Sequence, residues 1–431
     1  MLYRKERLMQ SSNRRIFLGA AGALLTQGKM KAAGDPVRLG IIGVGGRGRS
    51  LLRTSAETKN TKVTHVCDVD QARLEQAQQL ALKSGFQNVK GSADMRRVLE
   101  DPNVDAVLIA TPDHWHGPAT LLACEAGKDV YVEKPVSHNL REGRLMVDWA
   151  RKYKRVVQAG MQARSRPSTI KAVQIARSGR LGRLLAAKAW NSQLRKNIGR
   201  VKDGPIPAGV DYDTWVGPAP MMPFNQNRFH YNWHWHWNFG TGDWGNDGAH
   251  QIDIARWALG TTAPKRVSGM GAKYFFDDDQ QTPDTMNLSF DYGDKVLIWE
   301  MRIWHPYPLE NIDNGVGVYG TEAMMNIGDW DGKWGYRIFD KSGRIVEQYQ
   351  DEEPEFHMRN FAECVISRKR PNCDIEDGHF SSLHCHLGNI VARTGRNISF
   401  DAATETIPGD AEAQRLTRRQ YRDHWGKPKG I

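Results

Sequence analysis

The stretch from Val37 to about Gly160 repeats one unit: a short apolar run, a turn, then a segment whose apolar residues recur at helical spacing. The runs are VRLGIIG, KVTHVCD, DAVLIAT, DVYVEKP and RVVQAG, and the segments between them include QARLEQAQQLALKSG, GPATLLACEAG and REGRLMVDWARKYK. A crossover helix returns each strand to the same edge of the sheet. Strands that alternate with helices therefore lie parallel, with helices covering both faces.

Within the first unit, Gly43, Gly45 and Gly48 follow the strand and open the next helix, and Asp68 stands twenty residues on, at the end of the second strand. A lone G-x-G-x-x-G carries little; in this setting it marks a Rossmann domain that takes a dinucleotide. Gly43 permits the tight turn, Gly45 lets the backbone approach a pyrophosphate, and Gly48 lets the helix pack on the sheet. The helix start, with Gly46 and Arg47, attracts the anion. Asp68 is placed to accept from the adenosine ribose hydroxyls and to repel a 2′-phosphate, which favours NAD, while Arg47 and Arg49 leave NADP open.

After Gly160 one helix (STIKAVQIARSG) and one strand (LLAAKAWNSQ) lead into a long aromatic, Gly- and Pro-rich passage. A helix (GAHQIDIARWALG) follows, then the strands RVSGMGAKYFF, TMNLSFDYG, KVLIWEMRIW, GVGVYG, GYRIFD and RIVEQYQ. Successive strands with turn signals predict an open, mostly antiparallel sheet. The helices EFHMRNFAECVISRK and HFSSLHCHLGNIVARTG are expected to pack back between the domains. The fold class is α/β: an N-terminal Rossmann domain over residues 35–160, then an α/β domain with an open sheet over residues 161–431.

Residues 1–34 have another character. Arg14 and Arg15 precede Phe17, Leu18 and a modest apolar stretch broken by Gly19 and Gly22, the pattern of a twin-arginine signal read by that export machinery. The apolar run is shorter than the roughly 20 residues a membrane span needs, so no stable membrane insertion is expected after export. The cleavage site is poorly marked. This segment holds seven Lys/Arg against one Glu, which leaves the rest of the chain with about +5 of the total +11. That weak balance, with interspersed signs, offers no basic stripe for nucleic acid. Five scattered cysteines make no disulfide framework and are expected as free, buried thiols.

Glu133, Lys134 and Pro135 end the strand DVYV, on the edge where parallel sheets bind ligands. A lysine there can donate to a substrate hydroxyl and stabilise an alkoxide. In GDWGNDGAHQIDIARW, Asn246 and His250 stand four apart on one helical face with Asp253 a turn beyond. His250 can take a hydroxyl proton as hydride leaves carbon. In ATPDHWH, Thr111, Pro112, His114, Trp115 and His116 follow a strand of the same sheet and are expected to line the nicotinamide end of the dinucleotide. HYNWHWHWNFG brings His230, His234 and His236 together, and in an extended strand His234 and His236 would share one face. No carboxylate or cysteine completes a site there, so no metal is expected. Its Trp and Tyr side chains suit the apolar faces of a sugar, or the core.

GIIGVGGRG, ATPDHWH, VEKP and the DGAHQID helix together resemble the Gfo/Idh/MocA family, named for glucose-fructose oxidoreductase and inositol dehydrogenase. The likeness runs over almost the whole chain after the signal. NRFHYNWHWHWNFGTGDWGNDGAHQIDIARW, DGHFSSLHCHLGNIVARTGR and LTRRQYRDHW look like a twin-arginine-exported branch. The resemblance implies NAD(P)-dependent hydride transfer to or from a sugar, polyol or glycoside. Lys134 and His250 would act on the substrate hydroxyl, and Thr111, Pro112, Glu133, Lys134 and His116, which matches the family position best, would line the nicotinamide end. The family aspartate falls on Asn246, an amide that can orient a hydroxyl but cannot share the proton work, and compensation by Asp247 or Asp243 stays open. The family also implies a homodimer or homotetramer paired through the open sheet. An exported chain without a cofactor pool is expected to recycle its nicotinamide internally, as a two-substrate oxidoreductase. Two alternatives are a redox glycosidase or lyase, and an inactive sugar-binding scaffold.

Overall fold

The first of these runs forms strand β1 (Val37–Ile42), buried except at Arg38, as the centre of a parallel sheet must be. The computed structural model describes residues 34–354 and 356–430. Arg14 and Arg15, with the export signal they suggest, lie outside the described residues.

Strands β2 (Thr61–Cys67), β3 (Lys90–Ser92), β4 (Ala106–Ile109), β5 (Asp129–Val132) and β6 (Val157–Ala159) complete a six-stranded parallel sheet in the order β3-β2-β1-β4-β5-β6. The edge strand β3 has no counterpart in the sequence pattern, because Lys-Gly-Ser is too short and too polar to show a period. The order reverses between β1 and β4, and the loops that follow these two strands diverge there to leave a crevice. Helix His357–Ser367 places Met358 and Phe361 with Leu39, Ile41, Leu51 and Tyr131 on one face. Helices Asp113–Glu125 and Leu140–Lys152 cover the other.

The remaining strands are β7 (Leu184–Ser192), β8 (Arg266–Ala272), β9 (Thr285–Asp291), β10 (Val296–Arg302), β11 (Asn314–Gly320), β12 (Met324–Trp330), β13 (Lys333–Phe339), β14 (Ile345–Gln350) and β15 (Ile398–Ser399). They form one sheet in the order β14-β13-β12-β11-β7-β10-β9-β8-β15, antiparallel except where β7 meets β10. β12 and β15 also escape the sequence pattern: β12 carries Asn, Gly and Asp, poor strand formers, and β15 is two residues long. In β9 and β10 burial alternates strictly, with Met286, Leu288, Phe290, Leu297, Trp299 and Met301 inward. The inner face meets helix Ala249–Leu259 and helix Ile375–Thr394. The latter also packs on helix Leu140–Lys152 and β6, so it fastens one sheet to the other, and from Pro36 onward the chain is a single unit. No helix among the described residues is long and apolar enough to cross a membrane, and all five cysteines are free and buried.

This core is rich in histidine. Burial pushes His230, His236, His250, His357 and His424 down to about 4, and His114, His234, His384 and His386 to about 3. Above the ordinary histidine value of about 6.5 these rings are neutral in both folded and unfolded chains, and stability is at its full value. Below it, only the unfolded chain takes up protons. Each fully buried ring then favours unfolding by up to about 1.4 kcal/mol per pH unit until its folded value is reached. Burial raises Asp68, Asp113, Glu142 and Asp243, which oppose this, but they are four against those nine and His65, His116 and His138, which burial also lowers. The urea midpoint should therefore fall between pH 7.5 and 5.5, with net proton uptake on unfolding. A midpoint that rises over that interval would contradict the burial of these rings.

Candidate active site

Two glycines set the loop after β1 by sterics. Gly43 has φ +82°, and a Cβ there would lie 2.7 Å from the Ala110 carbonyl oxygen; a Cβ at Gly48 would collide with the Gly43 carbonyl. Only glycine lets the loop pass β4 and the helix Gly46–Glu57 begin so close to it. That helix starts at an N-cap, Gly45, without a side-chain cap, and a Cβ at Gly46 would meet no atom within 4 Å. Uncapped N–H groups at a positive helix end, on a backbone without side chains, fit a pyrophosphate. Asp68 follows β2, with Oδ2 accepting from the Val44 N–H at 2.8 Å and Oδ1 from the Asp70 N–H at 3.0 Å. The carboxylate thus also braces the glycine loop, and keeps further lone pairs for ribose hydroxyls.

At the end of β5, Lys134 Nζ donates to the Asn246 backbone oxygen at 2.5 Å and to Asn246 Oδ1 at 2.8 Å. An ammonium has three N–H bonds, so one remains for a ligand. Asn246 Nδ2 donates to Asp243 Oδ1 at 3.3 Å, which fixes the amide's direction. Asn246 lies in a π-helical turn, Trp244–Gly248, ahead of helix Ala249–Leu259, rather than on one continuous α-helical face with His250. Such turns recur at functional sites.

The His250 ring makes no hydrogen bond among the described residues. Burial and then Lys134 push its pKa down to about 4, against the pull of Asp247 and Glu133. At neutral pH the ring is uncharged and has a lone pair for a proton. Arg195, beyond β7, binds two carboxylates: Nη2 and Nε reach Asp243 Oδ1 at 2.8 and 3.2 Å, and Nη2 also reaches Asp247. Burial and Asp247 hold the enclosed Asp243 above the usual carboxyl range. Burial would raise Asp247 as well, but Lys134, Arg195 and His250 together bring it below that range.

Other residues singled out by sequence find different places. Arg47 turns to Glu133, Nε to Oε1 at 2.6 Å, and so lies at the β5 end of the crevice rather than beside a 2′-phosphate. Burial would raise Glu133, yet Arg47 and Lys134 hold it below its usual value, so it is ionised. His116 has Nδ1 2.7 Å from the Pro135 carbonyl and Nε2 2.8 Å from the Thr111 carbonyl; it joins two loops and has no ring nitrogen free for a ligand. Pro112 caps the start of helix Asp113–Glu125, and Thr111 Oγ1 is buried without a partner. His114 and Trp115 are also buried, both bonded to the Trp215 carbonyl. Asp253 leaves the site altogether for a fully buried pair with Arg164 at 2.8 Å. HYNWHW forms a 3-10 turn, His230–Trp235, and not a strand, so His234 and His236 do not share a strand face. His234 stacks on Trp233 at 3.6 Å, and no metal-holding cluster is found among the described residues.

The turn belongs to a segment, residues 193–243, that spans the crevice. At one end the Gln71 N–H donates to the Gly209 carbonyl and the Asp211 N–H to the Val69 carbonyl, both at 3.0 Å, and His230 Nε2 lies 3.4 Å from Asp70 Oδ2. At the other, Thr241 Oγ1 donates to Asp113 Oδ2 at 2.7 Å and the His114 N–H to the Phe239 carbonyl at 3.2 Å. Sequence reasoning missed Gln193 and Arg195, which sit in the loop after β7 without a motif, and Arg73, which packs over Gly45 near Asp68. An acidic pair three and seven residues before the histidine, answered by one upstream arginine, was the available signal.

Because the Lys134 charge depresses His250, Lys134→Gln should raise the His250 pKa. Titration of the labelled imidazole by NMR checks this, and a value unchanged or lower in the variant would refute the electrostatic contact.

Residues 37–161 match the NAD-binding Rossmann fold of the Gfo/Idh/MocA oxidoreductase family, and residues 184–300 and 335–427 match that family's C-terminal alpha/beta domain. The scyllo-inositol 2-dehydrogenase (NAD(+)) of Bacillus subtilis (strain 168) is 26% identical over 334 residues, covering 74% of this chain and 83% of that enzyme. A glycosyl hydrolase family 109 protein of Shewanella sp. (strain ANA-3) is 35% identical over 120 residues, 27% of this chain and 26% of its own length. The solved aldose-aldose oxidoreductase of Caulobacter crescentus, complexed with glycerol, shares the fold with a TM-score of 0.65 at 17% identity, over 85% of this chain and 100% of that one. With the glycine loop, the Glu133–Lys134–Pro135 corner and the His250 helix in place, the chain belongs to the Gfo/Idh/MocA family of NAD-dependent oxidoreductases.

Proposed function

We propose that this protein moves hydride between NAD and a hydroxyl-bearing carbon of a sugar, polyol or glycoside, and that it keeps its dinucleotide from one turnover to the next. The observation that carries the reaction is the Lys134 ammonium, held on Asn246 beside a neutral His250 at the sheet edge that also bears the glycine loop.

When bound, NAD supplies the hydride acceptor for oxidation and the donor for the reverse reaction. The third Lys134 N–H donates to the substrate oxygen and stabilises the charge that develops on it as the proton leaves. His250 receives that proton, and returns it in the other direction. Asn246 holds the lysine in line. Gly43–Gly48 and Asp68 seat the pyrophosphate and ribose, and Asp68 favours NAD over NADP.

Retention is supported by the segment over residues 193–243, whose anchors lie on both sides of the crevice and close it over the sheet edge. A two-substrate cycle, in which one sugar is oxidised and a second reduced, then needs no external pool; the Caulobacter structure, an aldose-aldose oxidoreductase by name, is a precedent within the fold. The twin arginines at 14 and 15 fit this economy, since that export route carries folded proteins with their cofactors, and Arg14→Lys with Arg15→Lys should leave loaded protein in the cytoplasm. We read the outer face of the second sheet, where Met270 and Ile298 are exposed, as the surface on which two or four copies pair.

Single-turnover reduction of bound NAD, followed by nicotinamide absorbance across a panel of sugars, tests the reaction. His250→Ala should slow it by about 10²- to 10⁴-fold, the worth of a positioned base, with NAD affinity unchanged. Equal rates in parent and variant would remove His250 from the proton path. Labelled NAD added to loaded protein should exchange far more slowly than turnover, and fast exchange would refute retention.

A further inference from the structure

Four carboxyl groups come near the reaction end, and three are spent. Asp243 is fully buried and takes Arg195 on one oxygen and Asn191 Nδ2 on the other, at 2.8 Å each. Glu133 is buried against Arg47 and Gln162. Asp113 is buried on Thr241. Asp247 differs: its side chain is 26% exposed, Gln193 and Arg195 both bind Oδ2, and Oδ1 has no partner among the described residues.

We infer that Asp247 accepts a hydrogen bond from a second hydroxyl of the substrate, next to the one that Lys134 and His250 act on, and that it confines the substrate to neutral, polyhydroxylated molecules. The inference rests on the hydride-transfer reading above. It supplies what Asn246 cannot: the carboxylate of the site stands one residue further along the chain, and Asn246 is left to orient the lysine.

Placement and charge carry this. Asp247 adjoins Asn246, which holds the Lys134 ammonium, and stands three residues before His250, where the π-helical turn runs into the helix Ala249–Leu259. Tyr231, from the 3-10 turn, shares Arg195 with Asp247, and the His234 ring lies 4.7 Å from that of Tyr231. Of the nearby cations, Arg47 is held on Glu133, and Arg195, the one in contact with Asp247, is not available to bind an anion. Its Nε and Nη2 are on the two aspartates and its Nη1 lies 3.3 Å from the Tyr231 hydroxyl, so at most one of five N–H groups is free. A uronate or a sugar phosphate would therefore meet an ionised carboxylate oxygen and an arginine already neutralised. A hydroxyl group gives Oδ1 the charge-assisted hydrogen bond it lacks.

The test uses the NADH-loaded protein, in which an alcohol binds without turnover, and reads affinity by tryptophan fluorescence with D-glucose, myo-inositol, D-glucuronate and glucose 6-phosphate. The parent should bind a neutral probe at least about tenfold tighter than either anion. Asp247→Asn should weaken that neutral probe by about 10- to 100-fold, the worth of a hydrogen bond to a charged group, and close the gap to the anions, at an unchanged melting temperature. A parent that prefers an anion, or that binds neither neutral probe, overturns the inference, as does a folded Asp247→Asn variant with full affinity. NAD-loaded protein separates the two ideas: a neutral polyol that binds through Asp247 but leaves bound NAD oxidised would refute the dehydrogenase reading and not the contact.

Discussion

The site exists because one lysine reaches from the first sheet to the turn that opens the helix packed on the second. Lys134 leaves the end of β5, and its ammonium ends on Asn246, 112 residues later, through a backbone oxygen and an amide oxygen at once. Neither sheet alone holds both halves of the chemistry. Helix Ile375–Thr394, packed on β6 and β8 together, fastens the two sheets to each other. Loss of the Asn246 contacts would leave a partly buried cation without acceptors, which is expensive in a low-dielectric setting, so the join is enforced electrostatically as well as by packing.

Charge at this junction is arranged to keep one imidazole neutral beside one ammonium. Two cations in such a space repel strongly, and His250 yields first because a histidine begins near 6.5 and a lysine near 10.4. Asp247 and Glu133 oppose the shift without reversing it. Asparagine at 246 has a consequence here. An aspartate in its place would add a negative charge to the same two groups and raise His250, whereas the amide binds Lys134 and leaves the histidine low.

Much of this was legible in the sequence, for particular reasons. Gly43 and Gly48 announce themselves because only glycine survives where they stand. Lys134, Asn246 and His250 could be found because local motifs end on a sheet edge and a helix start, where the rest of the chain must converge. What escaped was set by tertiary context. β3 and β12 are strands because neighbours pair with them, not because of any period. Asp253 sits at helical spacing from His250, yet Arg164, from a different part of the chain, claims it. Histidines 114 and 116 look like ligand-facing residues in a row, but both are buried at the start of a helix, with ring nitrogens turned to backbone carbonyls. Arg195 could not be paired with Asp243 and Asp247 from spacing, because the partners meet only once β7 lies in its sheet.

The segment over the crevice joins the β2 loop through main-chain atoms, Gly209 and Asp211 to Gln71 and Val69. A join of that kind does not depend on which side chains flank it. Substitutions in the exposed run between Arg200 and Ile206 can accumulate without loosening the anchor, and the same freedom extends to Tyr231, half-exposed on the turn beyond. The cover is thus a part that can be rewritten while its hinges stay fixed. In this architecture a change of sugar need not disturb the seat of the nucleotide, because the residues that would read the one and hold the other are fastened to the sheet separately.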